Sequence, residues 1–111
     1  MKDFGHLFKK YRLQAEFYSL SKLSLALADR GYLCDVSLLS LWQRGKRIPT
    51  HRAIIIKLVA LFIERRAITS LDQANDFMES AGHGYLTKSE QMKLLDPTVN
   101  KSIVLVQNFT I

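Results

Sequence analysis

The sequence contains one cysteine, two prolines and no apolar run long enough to cross a bilayer. A single cysteine excludes an internal disulfide framework and a multi-cysteine zinc site, and it fits a reducing compartment. A membrane-spanning helix needs about 18 or more consecutive apolar residues. The N-terminus also lacks the charged-then-apolar pattern of a signal peptide. The composition therefore predicts a cytoplasmic protein rather than a secreted or membrane-inserted one.

Motifs for catalysis or metal binding are absent as well. The three histidines (His6, His51 and His83) and Cys34 stand at no spacing typical of a metal site. The sequence has no glycine-rich phosphate loop and no nucleophile motif. We therefore expect a protein that is not an enzyme and that needs no cofactor and no metal.

The apolar residues that are present follow helical spacing almost throughout. With 111 residues, 48% of them hydrophobic, the chain has the size of one domain that can close its own core. Phe4, Leu7, Phe8, Tyr11 and Ala15 recur at the spacing of one buried helix face. This pattern predicts a first helix near the N-terminus.

Capping residues and helix breakers predict two further helices. Ser21 can cap a second helix, which Gly31 would end. Asp35 is a plausible N-cap for a third helix, which runs to about Arg44 and is stopped by Gly45. Both of these helices are short and lie close together along the chain.

The second half of the chain contains the signals for three more helices. A fourth helix is predicted from about Thr50 through residues 53–63, which are apolar on nearly all sides and therefore expected at the centre of the core. Capping boxes at residues 70–73 and 87–90 begin two others, with a turn at 82–84 between them. The predicted fold is all-α, with five to six helices.

The residues after Pro97 have a different character. Residues 103–106 (Ile-Val-Leu-Val) form a short β-prone run, and a lone strand cannot satisfy its own backbone groups. The run must pair with another chain, pack as an extended arm or be disordered, or else the 111 residues are the N-terminal piece of a longer protein. We therefore divide the chain into a helical domain, 1–96, and an extended tail or linker, 97–111.

Positive charge is concentrated in the first part of the chain. Residues 1–66 have a net charge of +8, whereas residues 67–111 have a net charge of −2. The densest stretch, residues 44–52, has four Lys or Arg side chains and no acid. Such a stretch indicates a polyanionic partner, of which nucleic acid is the commonest. The alternative interpretation is a solvated surface that keeps the protein soluble.

Two short helices with a glycine-containing turn, followed by glycine and a basic loop, are typical of a helix-turn-helix. Residues 20–26 (LSKLSLA) resemble the opening of the second helix in the phage-repressor-like (Xre/Cro) family. Residues 39–49 (LSLWQRGKRIP) resemble the end of its recognition helix, usually Ile-Ser-x-Trp-Glu-x-Gly followed by basic residues and proline. The resemblance covers about residues 4–81. It implies a lambda-repressor-like fold that binds double-stranded DNA as a transcriptional regulator or DNA-sensing module.

The sequence departs from the family pattern at three places. The turn at residues 31–35 is longer than the compact form, and Gln43 stands where the family usually has glutamate. The recognition helix also has Val36, Leu38 and Leu41 where polar base-reading side chains are expected.

The expected recognition helix, residues 35–44, would lie in the major groove with Leu39 and Trp42 toward the core. Outward leucines can touch thymine methyl groups, an arginine can contact guanine or a phosphate, and a serine can bond to a base edge or a phosphate. Basic loop residues and the start of the next helix can hold phosphates. The predicted DNA-binding residues are Ser37, Leu38, Leu41, Arg44, Lys46, Arg47, Thr50 and Arg52.

The alternative function is a protein-interaction or oligomerisation module within a larger assembly, for example one that contains an ATPase. Such a module would retain the fold and dock partners through Leu38, Leu41 and the tail. The exposed face of the third helix discriminates between the two functions. Basic residues that converge with Ser37 favour DNA, whereas a dry leucine patch favours protein. Because one recognition helix covers few base pairs, the DNA-binding hypothesis also predicts a homodimer.

Overall fold

Six helices follow one another through residues 3–95, the part of the chain that the computed structural model describes. This confirms the predicted all-α fold, and none of these helices is long and apolar enough to cross a membrane. The tail, with its β-prone run at 103–106, lies outside the described residues. The helices are α1 (Phe4–Gln14), α2 (Leu20–Asp29), α3 (Val36–Gln43), α4 (Arg52–Glu64), α5 (Leu71–Ser80) and α6 (Lys88–Leu95).

Side-chain caps begin α2 and α3. The Asp35 carboxylate accepts the Leu38 N–H at 2.9 Å and caps α3 as predicted. The cap of α2 is Ser19, whose hydroxyl accepts the Lys22 N–H at 3.2 Å, so the prediction of Ser21 was wrong. The earlier start adds Leu20, which packs against the core, to the buried face of α2. Burial of this additional leucine explains why the first of two possible serine caps is used.

The capping box at α6 is complete. The Thr87 N–H donates to Glu90 Oε1 at 2.9 Å, and the Glu90 N–H donates to Thr87 Oγ1 at 3.1 Å. At α5, the Ser70 hydroxyl accepts the Gln73 N–H, but the Gln73 side chain accepts from the N–H of Thr69, one residue before the cap. The predicted starts of α5 and α6 are therefore both confirmed, and the capping box of α5 has a modified form.

The fourth helix lies in the core, as its apolar sequence predicts, but it starts later than predicted. It begins at Arg52, after His51 in extended conformation, and no side chain caps it. Thr50 therefore lies two residues before the helix. The α4 residues Ile55, Leu58 and Phe62 are completely buried. Phe62 packs on Phe77 of α5 with ring centroids 5.7 Å apart, so α4 and α5 share an aromatic core.

Helix α1 crosses the C-terminal end of α3 at very short range. A Cβ atom added to Gly5 would lie 2.6 Å from the Gln43 carbonyl oxygen and 3.0 Å from that of Trp42. Phe4 and Phe8 on the same helix pack edge-on against the Trp42 ring, with centroids 6.4 and 6.0 Å away. Because Gly5 has no side chain, the backbone of α1 can lie in direct contact with the backbone of α3.

Candidate nucleic-acid interface

The turn between α2 and α3 is a packed structure, although it is long. Gly31 takes a positive φ of 88° immediately after α2, as expected of a residue that ends a helix. The Ser24 hydroxyl of α2 donates to the Cys34 carbonyl at 2.6 Å, and the Cys34 side chain is buried. Leu39 and Trp42 are also buried, which confirms their predicted position. These contacts hold one side of α3 against the domain.

The opposite side of α3 presents a continuous row of side chains. Its members line one shallow, open depression and follow one another at alternating intervals of one and three residues, which places them on one face of the helix. We call this row the α3 stripe. It consists of Val36, Ser37, Ser40, Leu41 and Arg44.

The α3 stripe contains three of the four residues predicted to contact bases, Ser37, Leu41 and Arg44. Leu38 does not belong to it, because its side chain is half-buried and packs against the core. Ser40, which was not among the predicted DNA-binding residues, lies in the stripe instead. The sequence did contain a signal for Ser40, because residues four positions apart, such as Val36 and Ser40, lie on the same face of a helix.

A basic loop adjoins the C-terminal end of the α3 stripe. Gly45 takes a positive φ of 73°, and the chain then folds back so that the N–H groups of Lys46 and Arg47 donate to the Leu41 carbonyl at 2.9 and 3.3 Å. Both side chains are exposed. Neither they nor Arg44 form an ion pair with any residue from 3 to 95. Residues 36–51 contain no acidic side chain, so these three charges are not neutralised locally.

The loop is also anchored at its far end. Pro49 is buried, and its carbonyl oxygen accepts a hydrogen bond from His83 Nε2 at 3.2 Å. This contact ties the loop to the turn before α6 and fixes the extended path through Thr50. Thr50 is exposed but lies outside the first turn of α4, so the predicted helix-start site for phosphate does not include it.

Arg52 has a different role from the predicted phosphate contact. Its guanidinium donates two hydrogen bonds to the Glu90 carboxylate of α6, at 2.8 and 2.7 Å, and two more to the carbonyls of Gly84 and Tyr85. The hydrogen bond from Arg52 is the largest cause that lowers the pKa of Glu90 to about 2. The Arg52 charge is thus balanced by Glu90, and four of its five N–H donors are used in contacts that join α4 to α6 and to the turn before it.

Gln43 also points inward. Its Oε1 accepts from Arg12 Nε at 3.1 Å, and Arg12 Nη1 donates to the Phe17 carbonyl at 2.6 Å. Burial lowers the pKa of Arg12, which is only 6% exposed. The Gln43 amide is therefore part of the contact between α1 and α3, and its oxygen is not available on the α3 stripe.

The described residues offer no group of three His, Cys, Asp or Glu side chains that could hold a metal ion. Comparisons of the chain with protein-family models, with curated proteins and with solved structures gave no significant match. The α3 stripe and the basic loop, by their geometry and charge, are therefore the features that point to a function.

Proposed function

We propose that this protein binds double-stranded DNA through α3 as a phage-repressor-like helix-turn-helix regulator or DNA-sensing module. The observation that carries the proposal is the α3 stripe, which ends at Arg44 and is followed by Lys46 and Arg47 of the basic loop. These three exposed cations have no ion-pair partner among residues 3–95. An α-helix fits the major groove, which is about 12 Å wide. Cations beside the inserted helix neutralise phosphates and release counterions.

The dimensions of the α3 stripe agree with this function. Val36 and Arg44 are eight residues apart, which corresponds to ~12 Å along a helix axis. At about 3.4 Å per base pair, the stripe spans roughly three to four base pairs. Lys46 and Arg47 follow directly after the helix, where phosphate contacts can fix its register in the groove.

A single stripe of this length reads too few base pairs for useful specificity. Helix-turn-helix domains meet this need with two copies that read half-sites one helical turn, about 34–36 Å, apart. We therefore include a homodimer on DNA in the proposal. Sedimentation of the protein with duplexes of one and two half-sites distinguishes one bound copy from two.

The position of Leu38 favours DNA over the alternative of a protein-docking module. That alternative expects a dry surface patch formed by Leu38 and Leu41. Leu38 instead packs against the core, and Leu41 lies between serine and arginine on the stripe. The stripe therefore combines hydroxyl, aliphatic and cationic groups, as a surface that faces base edges requires.

The proposal is tested by selecting bound sequences from a random duplex pool at two salt concentrations and titrating the selected duplex. The variant Lys46→Gln/Arg47→Gln should weaken binding to all duplexes and flatten the plot of log K against log salt by about 2, since each phosphate contact contributes about 0.9.

The matched control is Arg65→Gln/Arg66→Gln, which removes two exposed charges at the other end of α4. Helix α4 has 13 residues, from Arg52 to Glu64, so its two ends lie ~18 Å apart along the helix axis. The control should leave the slope unchanged. Equal slopes for both variants, or no binding to duplex by the unaltered protein, would contradict the proposal.

A further inference from the structure

We infer that the α3 stripe reads thymine through its methyl group, by means of Val36 and Leu41, with a guanine at the Arg44 end. This inference rests on the proposed DNA binding and adds the class of sequence that is recognised. Two observations support it: the kinds of side chain in the stripe, and the hydrogen bonds that hold the neighbouring Gln43 and Asp35 side chains.

The α3 stripe has two aliphatic side chains, two hydroxyls and one guanidinium. In the major groove, an A·T pair is distinguished either by Asn or Gln on adenine or by an apolar contact with the thymine methyl group. The stripe has no amide, so adenine cannot be read in the first way. Serine hydroxyls bond to several bases and discriminate poorly. Recognition of A·T pairs is therefore left to the aliphatic side chains.

The nearest amide and carboxylate are both held by other contacts. Gln43 Oε1 accepts from Arg12 on the side of α3 that faces α1. The Asp35 carboxylate accepts the Leu38 N–H as the helix cap, and Asp35 does not line the stripe. Both side chains are thus engaged in hydrogen bonds that position α3, and neither belongs to the stripe.

Val36 and Leu41 are placed to meet methyl groups. Val36 lies in the first turn of α3, where helices of this type contact bases, and it is 41% exposed. Leu41 is half-buried, so part of its side chain remains accessible to a ligand. Val36 and Leu41 are five positions apart, which corresponds to ~7.5 Å along the helix, or about two base pairs.

Arg44 completes the expected pattern. It is exposed at the end of the stripe, ~12 Å from Val36 by the rise of a helix. Arginine bonds to the O6 and N7 atoms of guanine with two donors. The preferred half-site should therefore contain thymine at one or two positions, with guanine about three to four base pairs from the thymine at Val36.

Deoxyuridine provides the direct test, because it lacks only the methyl group of thymine. Each thymine of the selected duplex is replaced in turn, and binding is titrated for the unaltered protein, Val36→Ala and Leu41→Val. Replacement of a contacted thymine should weaken binding by the unaltered protein about fourfold, the equivalent of ~0.8 kcal/mol per buried methyl group.

Each variant should lose its sensitivity to one particular uracil and keep its sensitivity to the other, as in a double-mutant cycle. Leu41→Val keeps an aliphatic side chain in the half-buried position, and the exposed Val36 tolerates alanine, so both variants should melt close to the unaltered protein. Uracil elsewhere in the duplex should have no effect and serves as the control within the DNA.

The outcomes separate this inference from the proposed function. Selective, salt-dependent binding that is insensitive to uracil at every position would overturn the inference and leave the proposed function intact. The same holds for uracil sensitivity that both variants retain, because other residues would then contact the methyl groups. Absence of selective duplex binding by the unaltered protein at any salt concentration would overturn the proposed function itself.

Discussion

Arg12 of α1 donates a hydrogen bond from Nε to Oε1 of Gln43 at the end of α3, across 3.1 Å. Arg12 is almost fully buried, and its other hydrogen-bond partner is a backbone carbonyl. No carboxylate from residues 3 to 95 forms an ion pair with it. A buried guanidinium is thus dehydrated without a charged partner, at a point that sets the position of α3.

Replacement of Gln43 by glutamate should stabilise the protein. The Gln43→Glu variant would replace the neutral amide acceptor of Arg12 by a carboxylate, so that both partners are charged, and we expect a gain of about 1 kcal/mol in the free energy of unfolding at pH 7. Thermal melts should show an increase in Tm of roughly 4–8 °C. Gln14→Glu, which adds the same charge at an exposed position on α1, is the matched control and should change Tm far less. A gain of equal size in both variants would show that net charge, rather than Arg12, is responsible.

A methyl group at Gly5 should separate α1 from α3. In Gly5→Ala, the added Cβ would overlap the Gln43 carbonyl oxygen, which is backbone and cannot rotate away. Overpacking of this kind costs about 1–3 kcal/mol. We expect chemical denaturation to show a loss in this range. Gly84→Ala is the control, since a Cβ there meets open space. If both variants unfold at the same denaturant concentration, the close approach of α1 to α3 is not required.

The ion pair between Arg52 and Glu90 should make stability depend on pH at the acidic end. The pKa of Glu90 is lowered from 4.5 to about 2, chiefly by the hydrogen bond from Arg52. A lowered carboxyl pKa adds stability that is complete above the unfolded value and is lost as the pH falls through the folded value. Glu90→Gln should therefore cost about 1–2 kcal/mol at pH 7, after allowance for partial exposure to solvent. The difference from the unaltered protein should shrink between pH 4.5 and pH 2, as measured by urea titrations at each pH. A difference that stays constant over this range would contradict the prediction.

Arg52 should contribute little to the salt dependence of DNA binding, although it belongs to the basic stretch of the sequence. Its charge is already balanced by Glu90, so Arg52→Gln should leave the slope of log K against log salt nearly unchanged. Loss of a phosphate contact would instead flatten the slope by about 0.9. The titration is made well below the Tm of the variant, because loss of the four hydrogen bonds from Arg52 should also lower stability. A decrease of about 0.9 in the slope of log K against log salt would show instead that Arg52 contacts a phosphate.

Features that depend on neighbours three or four residues away could be predicted from the sequence. The Asp35 cap, the capping box of Thr87 and Glu90, and the burial of Leu39 and Trp42 all follow from helical periodicity and local hydrogen bonds. Ser19 shows the limit of such reasoning. Two serines could cap α2, and the choice depended on burial of Leu20 against the rest of the domain.

Helical periodicity and capping residues were sufficient to predict the helices, the burial of Leu39 and Trp42, and the concentration of positive charge beside α3. Leu38, which was predicted to face outward, packs against the core, and the availability of each charge likewise depended on how the helices pack. Arg52 and Glu90 are 38 residues apart in the sequence, and Arg12 and Gln43 are 31 residues apart. No local sequence pattern indicates that either pair is in contact. A basic stretch of sequence gives only the number of positive charges in that segment. Whether each charge faces solvent or a carboxylate depends on which helices pack together, because hydrogen bonds and ion pairs act over a few ångströms in space, whatever the separation along the chain.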